Sequence, residues 1–477
     1  MARGCASRCS RPVSDASPAP RAGTLSGARL ECRLCRFMAL DERCLCVCRC
    51  PLLWVMRTRY RARTPCPNRW GQTAAPERAS LAGHSRETAL STAPRIDIDP
   101  AAFWADPYPM LANMRKEAPI AFVPQLGSTL LTSRDDISIS EKQIDVFSSH
   151  QPAGLMNRLM GHNMMRKDGE AHQVERRAMF PTVSPKTVKG YWTALFQAHA
   201  DRIIDAIEPG RIDFMRDFAL PFSGECLKSI TGLTNIGFAE MDAWSQGMIE
   251  GIANYVGDPA VEARCHAATS GIDAAIDDML PVMRKNPDQS ILGVLLASGM
   301  PMESVRANVK LAISGGQNEP RKAIAGTVWA LMTHPEQLDL VRRGEVTWLQ
   351  AFEEYARWIS PIGMSPRRIA KPWSIRDVAF ELDERVFLMF GSANRDEKHF
   401  ERADQFDVRR DTSKSVAFGA GPHFCAGAWA SRAMIADVAL PTLFARAGRI
   451  EIADDEPVRI GGWAFRGLQN LPARWLH

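Results

Sequence analysis

Phe418-Gly419-Ala420-Gly421-Pro422-His423-Phe424-Cys425-Ala426-Gly427 sets one cysteine in a glycine-bracketed loop. The loop runs straight into the helical pattern Ala428-Trp429-Ala430-Ser431-Arg432-Ala433-Met434-Ile435-Ala436, so the thiol is expected near a helix start. Unpaired N–H groups and the positive end of a helix dipole favour a thiolate there and lower the cysteine pKa. Gly419, Gly421 and Gly427 let the backbone approach something flat and bulky that a Cβ would obstruct. A lone cysteine is more often a small buried hydrophobe. Phe, Gly, His, Cys and Gly at these spacings argue against that bland reading.

The flat group implied is haem, because a thiolate below the iron pushes electron density toward bound dioxygen and favours O–O cleavage. The stretch resembles the haem-ligand loop of cytochromes P450. That resemblance implies haem b (iron protoporphyrin IX), with Cys425 as the axial ligand of the iron and Phe418, Gly419 and Gly427 framing it.

At 477 residues the chain exceeds the usual single-domain size, and 45% hydrophobic with 24% charged residues suits a globular protein with a large core. Its net charge of +5 is unevenly spread. Residues 1–94 hold sixteen arginines, no lysine and six acids, a net +10, so the rest of the chain carries −5. Nine of the twelve cysteines lie in the same segment, among them Cys32, Cys35, Cys44, Cys46, Cys48 and Cys50. Four readings of it stand open. The cysteine spacing does not match the paired spacing of common zinc sites. An arginine-rich, acid-poor leader also suits an organelle transit peptide, and a basic arm suits nucleic acid. The reading carried forward is a disordered or artefactual extension over residues 1–92, on which no function is built, followed by one haem domain over 93–477.

No apolar run approaches the roughly 20 residues needed to span a bilayer, so no membrane anchor is expected. The body holds only Cys226, Cys265 and Cys425 and offers no disulfide framework, which points to a reducing, cytoplasmic location.

From residue 93 the pattern is mainly α with a minor β portion. The run Phe103–Tyr108 leads into a short helix ending near Glu117. Ala121–Pro124 and Ser128–Thr132 read as a strand pair turning near Gly127. Helical patterns dominate to about residue 357, and short strands cluster around 366–390 and 448–475. His172 and Arg176, four apart, share one helical face. The resemblance makes them partners of the haem propionates, together with Arg368 and His423. Glu354-Tyr355-Ala356-Arg357 matches the pair that the family buries behind the thiolate loop, with Ser392–Asp396 as its partner segment. Glu354 and Arg357 are therefore expected to be scaffold.

Apolar residues recur from Met302 to Thr333 as one long helix, interrupted by Gly315-Gly316-Gln317-Asn318-Glu319-Pro320. Pro320 lacks the N–H that would bond the Gly316 carbonyl, so the helix must open there. Gly315 and Gly316 leave room for dioxygen and a water. P450s usually carry an acid followed by a threonine at this place, and this chain has Asn318 then Glu319. Proton delivery is therefore expected to pass through Glu319, with water held by Asn318 and Gln317. The Glu-Pro variant, with Gly461–Gly467, resembles the bacterial branch that includes the P450 subunit of aromatic O-demethylases. By family position the substrate pocket draws on Pro152–Met156, Ser314, Gly315, Gln317, Met364, Ser365 and Phe465.

The resemblance implies a monooxygenase that inserts one atom of O2 into a small organic substrate, with O-demethylation of a methoxylated aromatic as the finer expectation. Electrons are expected from a separate ferredoxin or flavin/iron–sulfur reductase, docked on a patch including Arg409, Arg410, Lys414 and Arg432. No nucleic-acid partner is expected. A peroxygenase using hydrogen peroxide and a non-catalytic haem sensor or carrier remain as alternatives.

Overall fold

Apolar residues at Ile120–Val123 and Ser128–Leu131 pair as an antiparallel hairpin, with Ile120 facing Leu131 and Val123 facing Ser128. Gly127 makes its turn at φ +56°, a left-handed conformation that glycine adopts without a Cβ penalty. The computed structural model describes residues 91–254, 257–446 and 449–476. The readings of the arginine- and cysteine-rich segment fall, up to residue 90, outside the described residues.

The hairpin's second strand runs parallel to Arg385–Leu388. That strand pairs antiparallel with Ser365–Ile369, whose far edge carries Phe147–Ser148. Among the described residues this forms a five-stranded sheet, in which Leu130, Leu131, Val386, Leu388 and Ile369 are fully buried. A smaller antiparallel sheet joins Gly210–Asp213, Pro472–Leu476 and Arg449–Ile452. Helices make up most of the remainder, so the expected mainly α chain with a minor β portion is what the sequence folds into.

The expected long helix occurs as two halves, Met302–Gly316 and Asn318–Thr333, separated at Gln317 (φ −101°, ψ −54°). Pro320 sits in the first turn of the second half, where a missing N–H costs least. Ser245 Oγ donates to the Ile313 carbonyl (3.1 Å) and accepts from Asn318 Nδ2 (3.1 Å), so one serine ties both sides of the break. Further up, buried Asn308 donates to Glu175 Oε2 (2.9 Å) and accepts from Met164 N (3.0 Å). The helix Gly169–Val183 is thereby fixed against the bent helix, which sets where His172 and Arg176 face.

Trp348–Ile359 starts on a capping box. Thr347 Oγ1 accepts from Gln350 N (3.1 Å), and Gln350 Oε1 accepts from Thr347 N (2.9 Å). The helix ends at Ser360, held at φ +49° although it is not glycine. Its hydroxyl donates to Arg357 O (3.1 Å) and accepts from Asn394 Nδ2 (2.8 Å). Strain of this kind persists only where neighbours over-determine the geometry.

Candidate active site

Three elements converge on a cavity of about 1380 Å³: the loop Phe418–Gly427, the break in the long helix, and the start of the strand Ser365–Ile369. The loop is shaped by backbone bonds, Gly419 N to Val416 O (2.8 Å) and Cys425 N to Phe418 O (2.9 Å). Gly419 and Gly421 both have positive φ, +72° and +64°. At Gly421 the space is also lacking, since an added Cβ would lie 2.5 Å from the Glu141 carbonyl oxygen. Glu141 is the loop's anchor. Its Oε2 accepts from Ala420 N (3.0 Å), and its Oε1 pairs with buried Arg367.

Cys425 lines this cavity and is exposed to it. Gly427 caps Ala428–Arg432, the short helix that continues as the π-helical turns Ala433–Ala439. The expected lowering of the thiol pKa does not hold for the chain alone. Burial pushes the Cys425 thiol up, and the Gly427 N–H and the Arg176 charge pull it down by less. Ionisation at this position calls for a cation against the sulfur.

The basic residues gather along one side of the same cavity. His172, 1% exposed, stacks on His423 at 4.3 Å between ring centroids. Asp168 Oδ1 pairs with His423 Nε2 (2.9 Å), and Asp168 Oδ2 accepts from Ser148 Oγ (2.6 Å) and Ser149 N (2.9 Å). Arg176 Nη2 donates to the Phe424 carbonyl (2.6 Å). Arg368, at the rim, donates to His150 O (3.0 Å) and pairs with Asp383. Burial, then the charges of His423 and Arg176, lower the His172 pKa to about 4. Burial raises Asp168, but the bonds from His423 and Ser148 outweigh it and leave the carboxyl below its ordinary value.

A stability prediction follows for the haem-free chain. Unfolded His172 binds a proton at its ordinary 6.5, whereas the folded residue waits until about 4. Between these values the unfolded state holds more protons, so stability is complete above pH 6.5 and falls as pH drops toward 4. Denaturant unfolding at pH 7.5 and pH 5 should show this loss, and His172→Gln should remove most of the difference. Asp168 adds a loss of the same sign only below its ordinary 3.8.

At the helix break the expected relay residues part company. Glu319 lines the cavity, and both of its carboxylate oxygens are buried with no hydrogen-bond partner among the described residues. Burial pushes its pKa up. Asn318 also touches the cavity, but its amide bonds Ser245 and Arg321. Gln317 is corrected: it lies outside the cavity lining, fully buried, with Nε2 on Asp242 Oδ1 (3.2 Å) and the Leu220 carbonyl (3.5 Å). Gln317 stands two residues before Glu319, a spacing that on helical backbone puts the two side chains on nearly opposite sides. Gly315 faces open space, while an added Cβ at Gly316 would lie 2.8 Å from Leu227 Cδ1.

Ser314, Met364, Ser365 and Phe465 all line the cavity, as does the loop Pro152–Met156. Ser314 Oγ is turned back onto the Leu311 carbonyl (3.0 Å). Glu354 and Arg357 are both 0% exposed and bidentate, at 2.7 Å for each contact. Arg357 also donates to the carbonyls of Asn394 (2.8 Å), Ala403 (2.8 Å) and Gln405 (3.0 Å), so the expected Ser392–Asp396 segment does meet it. Arg410 is a second correction. It is 9% exposed and bonds Glu354 Oε1 (3.2 Å), so it belongs to this buried network and is withdrawn from any docking patch. Arg432 is engaged with Glu353 (2.8 Å) and the Phe418 ring, which leaves Arg409 and Lys414 as the exposed members of that patch.

Sequence reasoning missed Glu141, Asp168 as the partner of His423, and Lys322, whose stem passes Gly467 into the cavity. Asp168 had a local signal, as the residue preceding a helix. Glu141 had none, because its target lies 279 residues away.

The residues fit a haem. The cavity offers one soft sulfur donor that lacks a cation. Along one edge the Arg176 guanidinium stands beside the rings of His172 and His423, a charge and ring nitrogens that two anionic carboxylates would complement. Opposite, Gly315 leaves a gap. A metal held by protein side chains alone is a poor match, since no cluster of three or more His, Cys, Asp or Glu occurs among the described residues.

Known proteins share this fold. The sequence model of the family "Cytochrome P450" matches residues 300–444. The chain is 27% identical over 411 residues to the 6-deoxyerythronolide B hydroxylase of Saccharopolyspora erythraea, covering 81% of this chain and 99% of that protein. It is 26% identical over 395 residues to the steroid C26-monooxygenase of Mycolicibacterium smegmatis, covering 81% and 97%. Among solved structures, CalO2 superposes with a TM-score of 0.72 at 23% identity, covering 80% of this chain and 99% of that one. The Sorangium cellulosum cytochrome P450 260B1 gives 0.71 at 24%, covering 81% and 100%.

Proposed function

We propose that this chain, a cytochrome P450 oxidoreductase with the P450 fold and haem as its cofactor, is a monooxygenase whose preferred reaction is O-demethylation of a compact methoxylated aromatic. Monooxygenation of a small organic substrate with O2 and a redox partner is the activity of the family. The observation that carries the finer reading is Glu319. It is a buried acid without partners, in a helix break beside two glycines, in the same cavity as Cys425.

When bound, the haem supplies activation of dioxygen, with one atom entering the substrate and the other leaving as water for two electrons and two protons. With haem bound, the Cys425 sulfur would hold the iron, and His172, Arg176, Arg368 and His423 would hold the propionates. Phe418, Gly419 and Gly427 frame the ring. Gly315 leaves open space at the helix break where dioxygen would enter, while Gly316 admits the close approach of Leu227. Burial shifts the Glu319 carboxyl toward its protonated form, and a proton held there would be delivered inside the cavity in place of the missing threonine hydroxyl. Met364, Ser365 and Phe465 orient the substrate so that its methoxy carbon is hydroxylated. The resulting hemiacetal splits into a phenol and formaldehyde.

A separate ferredoxin or flavin/iron–sulfur reductase supplies the electrons, and its docking draws on exposed Arg409 and Lys414 rather than on Arg410. A cytoplasmic setting suits the free thiols of Cys226 and Cys265. No helix of the described residues is long and apolar enough to cross a membrane.

The test is an optical titration of the ferric protein with methoxyarenes, fatty acids and terpenes, followed by turnover with a surrogate reductase. A methoxyarene should displace water from the iron, shift the haem band and release formaldehyde in step with the phenol. Glu319→Gln should lower product per electron pair about tenfold to a hundredfold, within the usual range for losing a positioned acid. A band shift only with an aliphatic compound would discard the demethylase reading. Turnover with hydrogen peroxide as fast as with the reductase would make the protein a peroxygenase.

A further inference from the structure

Lys322 stands one helical turn beyond Glu319, on the same side of the second half of the bent helix. Its stem is confined, because an added Cβ on Gly467 would lie 2.8 Å from both Lys322 Cβ and Cδ. Its ammonium donates to the Phe465 carbonyl (3.2 Å), which leaves donor capacity unused. Lys322 lines the main cavity and also a smaller cleft of about 280 Å³ behind it, which Gln246 and Gln469 line as well. Gln246, Gln469 and Arg216 are exposed, so the cleft opens to solvent at its outer end. Its inner end is Lys322.

The turn between cleft and cavity is unusually rich in buried polar atoms without a protein partner. Among the described residues these include Gln317 Oε1, both oxygens of Glu319 and Arg321 Nε. Native structures seldom leave such atoms bare, and ordered water is the usual partner. The cleft wall is mostly polar, with Asp213, Arg216, Gln246, Arg321 and Gln469 around Lys322 and Met215, Leu220 and Leu468 completing it. The main cavity, by contrast, meets Met364, Phe465, Leu155 and Met156 where substrate is expected. Substrate and protons therefore have different surfaces to follow.

We infer that this cleft is the water and proton inlet of the cavity, and that Lys322 is the positioning residue through which Glu319 exchanges its proton with solvent. The inference rests on the reading of Glu319 as proton donor. An ammonium here holds a water between cleft and carboxyl, passes a proton inward and recovers one from the cleft, with no net change in either group. Burial lowers the Lys322 pKa to about 8, partly offset by the Glu319 charge, so the amine sits within easy reach of deprotonation.

The test uses the haem-loaded protein and infrared difference spectroscopy after rapid mixing into D2O. The carboxyl C=O band that disappears in Glu319→Gln reports Glu319 itself. If no band disappears and Glu319→Gln couples electrons to product normally, the donor reading fails, whatever Lys322 does. With that band in hand, Lys322→Met should slow its exchange by at least about tenfold, while the haem absorption band and thermal midpoint stay those of the wild type. Gln469→Leu, which narrows the cleft without touching the cavity's acid, should slow exchange in the same sense and serves where Lys322→Met does not fold. Exchange as fast as wild type in either folded variant overturns the inlet.

Discussion

Replacing Cys425 with serine is expected to abolish monooxygenase turnover and the thiolate signature in the absorption spectrum of the ferrous carbon monoxide complex. Serine preserves the size of the side chain and the loop around it, so Phe418 O and the Gly419 and Gly421 turns should persist. What changes is the donor: an alcohol oxygen is a harder and far weaker acid than a thiol. In this site burial already works against the thiol's own ionisation, and the Gly427 N–H, Arg176 and Arg432 oppose it by less. An alcohol there stays neutral and supplies little electron density to the iron. Product should fall to the level of a protein-free blank, with haem content reduced but measurable. A variant that kept both the thiolate-type spectrum and turnover would remove Cys425 from the ligand position and with it the reading of the loop.

Arg357→Met should cost about 3–5 kcal/mol of stability and most of the bound haem, although Arg357 is outside the cavity lining. The guanidinium is fully buried and bonds both Glu354 oxygens and three backbone carbonyls, with its flat face 5.3 Å from the Phe400 ring centre. Methionine fills much of the volume but leaves the carboxylate facing one fewer cation and the carbonyls of Asn394 and Ala403 without their donor. Those carbonyls lie on the segments that lead toward the thiol loop, and Asn394 Oδ1 accepts from Val416 N (2.7 Å) two residues before Phe418. Denaturant unfolding at pH 7 and haem content per chain measure the effect. Glu354→Gln combined with Arg357→Met should recover only part of the loss. Removing the buried charge helps, but Asp407 N and Arg410 still expect a carboxylate, and the carbonyls remain bare. Full recovery in the double variant would show that the pair is replaceable packing rather than the hub of a network.

The elements legible in the sequence were those whose cause is local. Gly127 and the hairpin, the capping box at Thr347, and the break before Pro320 each follow from backbone sterics or hydrogen bonding within a few residues. His172 and Arg176 were legible as neighbours because four residues make about one helical turn. The Glu354–Arg357 pair was legible for the same reason, and its burial only through the resemblance. Gln317 was misassigned because residues two apart on helical backbone point to nearly opposite sides, so Gln317 and Glu319 do not face one cavity. Arg410 was misassigned because a charged residue in a polar stretch reads as solvated unless the buried acid that claims it is known.

The sequence by itself determined the cysteine loop, the bent helix and the mainly α pattern, since glycine, proline and periodic apolar residues act on their own stretch of backbone. Tertiary structure alone decided that Glu141 anchors the loop, that Asp168 holds His423, and that Lys322 reaches past Gly467 between two cavities. Those contacts join segments far apart in the chain. Their energies depend on distance and burial in three dimensions, which a linear order of residues does not contain.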